Sequence, residues 1–304
     1  MRRSLPKVEI CLNCGEAVQE NFCPKCGQET THRTTSLRPL VADLFAEVLS
    51  FDSKLVHTVA PLFFRPGQLT VDYNLGKRVR YLSPFKIYLF MSVVFFLLLT
   101  WQVSSTQSQS VHLNMPVVKG DAWKKSSGLK IGFSGTKMDA ESLPPNVEAY
   151  DAWQKDSANT HKNTPLEQFV TRKTLRAIQN PQGFSGEFIN SVPKAMFLLL
   201  PLFALLLKLI YIRSKRFYVE HLVFSLHVHA FTFGMLSLML VPQLKAVTPL
   251  MMLWIAIYLF FAMKRVYGQG IFKTCIKISI LGFSYLFLMV FSVIAAGLFA
   301  ILSF

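Results

Sequence analysis

The sequence predicts an all-α integral membrane protein with about five transmembrane helices, and three observations carry that prediction. Of its 304 residues, 52% are hydrophobic and only 16% are charged, a composition too apolar for an ordinary soluble domain. Long uncharged runs alternate with short basic clusters, as spans alternate with interfacial cations. Four cysteines in two tight pairs, Cys11/Cys14 and Cys23/Cys26, precede the first apolar run.

The cysteine pairs come first. Cys11-Leu12-Asn13-Cys14-Gly15 and Cys23-Pro24-Lys25-Cys26-Gly27 are two Cys-x-x-Cys turns. Each aims two thiolates at one point, and the glycine that follows lets the backbone fold around sulfur. Four thiolates close a tetrahedron and leave no position for a reacting water. Residues 1–32 are therefore expected to form a small N-terminal zinc ribbon with one structural zinc per chain. Metal binding would contribute on the order of 10 kcal/mol to folding so short a unit. The alternative is a pair of redox disulfides, which knuckles this close favour less than metal. Thiolate ligation needs a reducing compartment, so the N-terminus is expected in the cytosol. A fifth cysteine, Cys275, reads as a buried or interfacial thiol beside a span.

Residues 36–80 read as juxtamembrane amphipathic helices. Leu37, Leu40, Val41, Leu44, Phe45, Val48 and Leu49 recur at three- and four-residue steps, with Ser36 as N-cap. A second apolar helix is expected from about Ser53 to Phe64, ending at Pro66-Gly67. The charges Asp43, Glu47, Asp52, Lys54 and Arg65 favour a position on the inner leaflet or against the bundle over a re-entrant pore element.

The first span covers residues 84–103, and Ile87–Thr100 carries no charge. Residues 192–304 hold the other four. The second runs over about Val192–Ile212, with Lys194 and Lys208 placed to snorkel and Pro201 placed to kink it. The third covers about His221–Val241 and the fourth about Ala246–Met263. The fifth, Ile278 to Phe304, is free of charge and long enough to cross with tilt. Five is the reading, with four or six as its alternatives. No apolar stretch opens the chain, so the first span is expected to direct insertion itself.

Charge sets the orientation. Lys77, Arg78, Arg80 and Lys86 precede the first span and are expected to contact the lipid surface. The second-to-third connection carries Lys208, Arg213, Lys215 and Arg216, and the fourth-to-fifth carries Lys264, Arg265, Lys273 and Lys277. The third-to-fourth loop has Lys245 alone. Every cluster falls on one side if the N-terminus is cytoplasmic and the C-terminus extracytoplasmic. The net charge of +15 then belongs to anionic headgroups rather than to nucleic acid. Residues 104–190 become an extracytoplasmic loop, polar and low in complexity at Ser104–Ser110, with a helix expected at Pro165–Gln179. Its apolar residues are too few for a strong independent core, so partial disorder with helical patches is the expectation.

One span carries ionisable residues. Glu220, His221, His227 and His229 lie in the cytoplasmic half of the third, which makes them a possible intramembrane polar site. Helical geometry places Glu220 and His227 on one face and turns His227 and His229 nearly opposite ways, so those two cannot chelate one ion within a regular helix. The other span interiors contain no Asp, Glu or His to complete a metal or proton path. The structural alternative is that these histidines hydrogen-bond backbone or Tyr groups between helices. In the last span Ser292, Ala296 and Ala300 stand four apart, a face suited to close packing in the bundle or in a homodimer.

Five segments stand out together: Phe22-Cys23-Pro24-Lys25-Cys26-Gly27-Gln28, Phe63-Phe64-Arg65-Pro66-Gly67, Lys77-Arg78-Val79-Arg80-Tyr81, Tyr218-Val219-Glu220-His221 with His227 and His229, and Val266-Tyr267-Gly268-Gln269. In these segments the chain resembles a bacterial membrane family catalogued as domain of unknown function 3667. The resemblance implies a multi-pass bacterial inner-membrane protein with a cytosolic zinc ribbon, and it implies no activity. No phosphate-cradling loop, ordered Ser/His/Asp set or paired-carboxylate signature argues for an enzyme. The sequence thus points first to a binding or scaffold role, the ribbon offering a surface to a cytosolic protein partner or to anionic lipid. The alternative is a transporter or channel-like protein using the Glu/His cluster.

Overall fold

Nine α-helices and one 3₁₀ turn are present among the described residues, and no strand longer than an isolated bridge. The structure, a computed structural model, describes residues 9–18, 21–29, 54–107, 146–156 and 163–303. The helix expected from Ser36 to Leu49 lies outside them. The chain divides into two units, residues 1–109 with 197–288 and residues 110–196 with 289–304.

In the first unit, α1 (Lys54–Phe64) and α2 (Gln68–Asn74) form a short hairpin. The turn between them needs Gly67, whose φ is 73°. A Cβ built there would also lie 2.9 Å from the Ala262 carbonyl oxygen, so the backbone passes closer than any side chain permits. Arg265 Nη1 fixes the same turn by donating to the Pro66 carbonyl at 2.7 Å. The base of α1 is held where the Thr58 hydroxyl accepts from the Leu82 N–H at 2.9 Å.

Among the described residues, five helices are long and apolar enough to cross a membrane, and they form on long, mostly apolar stretches. They are α3 (Pro84–Gln107), α6 (Pro181–Ile210, apolar over Ser191–Ile210), α7 (Tyr218–Met239), α8 (Thr248–Tyr267, entered through the 3₁₀ turn Pro242–Val247) and α9 (Ile271–Ser303). The last begins seven residues earlier than the lack of charge suggested, so Lys273 and Lys277 are helical. Cys275 sits in its second turn as an exposed residue rather than a buried one.

Helix α7 is the axis of the first unit and is buried along most of its length. Tyr88, Phe95 and Phe96 of α3 surround its Phe233, with ring centroids 5.4–5.8 Å away. Tyr258 of α8 stacks on its Phe231 at 3.6 Å. The hairpin packs against the same helix, as Phe63 meets Phe231 at 5.7 Å and fills the space that Gly234 leaves. Gly234 lies about 24 Å along α7 from Tyr218 at 1.5 Å per residue. Of the two positions expected for the α1 segment, leaflet or bundle, the structure has it against the bundle, with its tip well along the central helix.

In the second unit, α4 (Val147–Lys155) and α5 (Pro165–Gln179) are both well capped. Asn146 accepts from the Ala149 N–H at 2.7 Å, and Thr164 and Glu167 make a reciprocal capping box ahead of Pro165. Arg172 Nε donates to Asp151 at 2.7 Å, and the buried Tyr150 hydroxyl accepts from Gln154 and Asn163. Residues 146–179 thus hold a small helix pair with its own buried tyrosine, including the helix expected at Pro165–Gln179. Ala296 and Ala300 of α9 are buried, as their small-residue register anticipated.

Candidate metal centre and the buried histidines

Each cysteine knuckle closes on itself by backbone bonds. Gly15 N–H donates to Cys11 O at 2.8 Å, and Gly27 N–H to Cys23 O at 2.9 Å. Both glycines have positive φ, 77° and 71°, the conformation that glycine adopts without a Cβ penalty. The turns bring the sulfurs of Cys11, Cys14, Cys23 and Cys26 within 4.8 Å of one another. Cys11 and Cys26 Sγ are 3.6 Å apart, Cys14 and Cys23 Sγ 3.5 Å. A metal at a Zn–S distance of about 2.3 Å would set tetrahedral sulfurs about 3.8 Å apart, so the observed separations suit a metal ion. All four thiols are free of disulfides. Val18 packs beside them, and Lys25 pairs with Glu16 across the knuckles at 3.3 Å.

The cysteine unit is not a loose knob. Gln28 Nε2 donates to the Gly76 carbonyl at 2.8 Å, and its Oε1 accepts from the Arg78 N–H at 3.2 Å. Leu12 lies on Gly76, whose φ of 92° and missing side chain make room for it. The unit is therefore bolted to the segment that leads from α2 into the first span.

Beneath that segment is a charge that sequence reasoning missed. Asp72 is buried and accepts from Gln68 Nε2 at 2.9 Å, Lys77 Nζ at 3.1 Å and Tyr81 Oη at 3.3 Å. Burial pushes its carboxyl up, but those three hydrogen bonds and the Lys77 charge outweigh burial and hold it below 3.8. Lys77, expected at the lipid surface, is thus engaged by Asp72. Arg78 and Arg80 are exposed and lie over the Tyr73 and Tyr81 rings at 5.3 and 5.5 Å, and Lys86 sits half-buried in the first turn of α3.

The four polar residues of α7 are not brought together. Glu220 accepts from Arg216 Nη1 at 2.9 Å and from the Phe217 N–H at 3.4 Å, closing the first turn of its own helix. His221 Nδ1 meets the Tyr267 hydroxyl of α8 at 2.8 Å. His227 Nδ1 meets the Thr70 hydroxyl of α2 at 2.9 Å. His229 Nδ1 meets the Ser225 carbonyl at 2.8 Å, and its Nε2 meets the Tyr285 hydroxyl of α9 at 2.9 Å. Three histidines therefore reach three different helices. Lys208 Nζ donates to the Arg216 carbonyl at 2.6 Å, in the connection beyond the end of its own helix.

Thr70, Asp72, Tyr267 and Tyr285 are the partners that sequence reasoning did not single out as site residues. The short segments quoted for the resemblance were the available signal, because they meet in space. Gln28 reaches Arg78, Gly67 lies against Val266 and His221 reaches Tyr267.

A model of the family described as "Protein of unknown function (DUF3667)" matches residues 52–96, which hold α1, α2 and the first half of α3. No curated protein and no solved structure matches the chain.

Proposed function

We propose that the chain is a multi-pass inner-membrane protein of bacterial origin that holds a structural zinc ribbon at the cytosolic face as a binding or scaffold surface. The observation that carries this reading is the way the cysteine unit is mounted. One side is clamped to the Gly76–Arg78 segment by Leu12 and Gln28. Ile10 and Phe22, in contrast, are each 60% exposed, and a pair of outward apolar side chains on a small rigid unit suits a protein partner. Zinc is the metal that four thiolates at these separations favour. A thiolate site and the basic clusters flanking the spans both favour the ribbon inside, with residue 303 outside. Arg78 and Arg80 then face anionic headgroups.

The buried histidines support scaffold over transport. Each spends a ring nitrogen on a neighbouring helix, as a packed bundle requires of polar groups away from water.

The test is cross-linking and affinity capture of the full-length protein from membranes, with Cys11→Ser/Cys26→Ser and Ile10→Ser/Phe22→Ser variants alongside. Loss of the same captured protein from both variants is the expected outcome. Retention of every captured protein by both would remove the scaffold reading.

A further inference from the structure

Where α6 passes into α7 and α8 into α9, the chain gathers buried polar atoms that have no partner. Tyr211 and His221 are almost fully buried, yet Tyr211 Oη and His221 Nε2 have no hydrogen-bond partner. In the tautomer whose Nδ1 takes the Tyr267 hydroxyl proton, the proton of the neutral ring sits on Nε2, which is then a donor. Tyr267 stacks on Tyr211 with centroids 3.7 Å apart, and the Lys277 ammonium stands 3.6 Å from the centre of the Tyr211 ring. One face of Tyr211 is therefore covered by an aromatic ring and the other by a cation.

A buried polar atom without a partner is uncommon in a folded protein, and two on adjoining rings ask for an explanation. A lone buried water is one. The charge balance argues for more. The two connections carry eight basic residues, and Glu220 is the single acid beyond residue 187, already engaged by Arg216. The Tyr211 face lies against the Lys277 ammonium but does not neutralise it. These residues also sit at the ends of four span helices, the depth at which lipid phosphates lie.

We propose that this junction binds a phosphate-type oxyanion, with the Lys277 ammonium, Tyr211 O–H and His221 Nε2–H as its donors. The site is separate from the cysteine unit. A lipid headgroup and a free phosphate share the required chemistry, a compact anion offering several acceptor oxygens.

The test uses the full-length protein in nanodiscs of three kinds: phosphatidylcholine alone, phosphatidylcholine with added phosphatidylglycerol, and phosphatidylcholine with millimolar inorganic phosphate. The readouts are the thermal midpoint and, by mass spectrometry, the lipid retained. Native protein and Lys273→Gln, which alters an exposed lysine one turn away, are expected to rise in midpoint with phosphatidylglycerol. Lys277→Gln and the conservative Tyr211→Phe are each expected to weaken that response by about tenfold in the lipid titration. The same pattern with inorganic phosphate alone supports the site and assigns its ligand to the soluble pool. Equal losses in all three variants overturn it in favour of diffuse surface charge. An unchanged Tyr211→Phe overturns it in favour of a buried water beside a bare cation.

Discussion

Thr70 and His227 stand 157 residues apart in the chain and share a buried hydrogen bond of 2.9 Å. It joins the α1–α2 hairpin to the central helix, so an amphipathic segment that could have lain on the membrane surface is held against the bundle. Thr70→Val keeps the shape and removes the hydroxyl, leaving His227 Nδ1 buried without a partner. The expected cost is about 1–3 kcal/mol, read as a lower thermal midpoint in detergent. Thr70→Val combined with His227→Leu should cost less than the two single losses added, because the double variant strands no polar atom. Strict additivity would mean that the bond carries no coupling.

The hairpin's turn gives a second expectation. Gly67→Ala meets two obstacles, a φ of 73° and an Ala262 carbonyl 2.9 Å from the new methyl. Gly268→Ala meets only the first, at φ 63° with nothing within 4 Å. Gly268→Ala should therefore cost about 1 kcal/mol, as an L-residue in the left-handed region does. Gly67→Ala should cost clearly more, with loosening of α1–α2 visible as faster amide exchange there. Equal midpoints for the two variants would show that the Ala262 backbone yields without penalty.

The spans were legible because length and apolarity are properties of contiguous sequence. A run such as Ile87–Thr100 declares itself without reference to any partner. The knuckles were legible for the same reason, since ligand spacing within each pair is local. What lay beyond the sequence was pairing at a distance. Nothing local to Asp72 marks it out, and Lys77 reads as one more interfacial cation. Only the fold shows that they neutralise each other beneath the segment that carries the cysteine unit. The histidines could be sorted by helical angle but not assigned partners. Thr70, Tyr267 and Tyr285 come from three other helices, and no periodicity in α7 refers to them. His229 also turns back onto its own helix at the Ser225 carbonyl, a contact that the opposed directions of His227 and His229 do not reveal.

Asp72 predicts an acid sensitivity with a definite sign. Its folded-state value is depressed below the ordinary 3.8. An acid of this kind adds stability that is fully present above the unfolded value and is lost as pH falls through the lower folded one. The native protein should therefore lose thermal stability on acidification below about pH 4. Asp72→Asn should be less stable at neutral pH, where Lys77 loses its counter-charge, and should show a flatter loss over that acid range. Identical acid profiles for native protein and variant would place the sensitivity elsewhere.

Metal content separates the two clusters that the sequence singled out. The four sulfurs converge, with separations of 3.5–3.6 Å between opposite knuckles. The histidines diverge, and the Nδ1 atoms of His227 and His229 are committed to Thr70 and to Ser225. One metal ion per chain is therefore expected after gentle purification. A Cys11→Ser/Cys14→Ser variant should contain none, and a His227→Ala/His229→Ala variant should keep its one. Loss of metal should also be felt beyond the sulfurs, because Gln28 closes the second knuckle and at the same time holds Gly76 and Arg78. Chelation should free that contact and make the chain between Asn74 and Ser83 open to protease, while the spans stay folded. A second metal that disappears only with the histidines would place a metal site inside the bundle and return transport to the leading position.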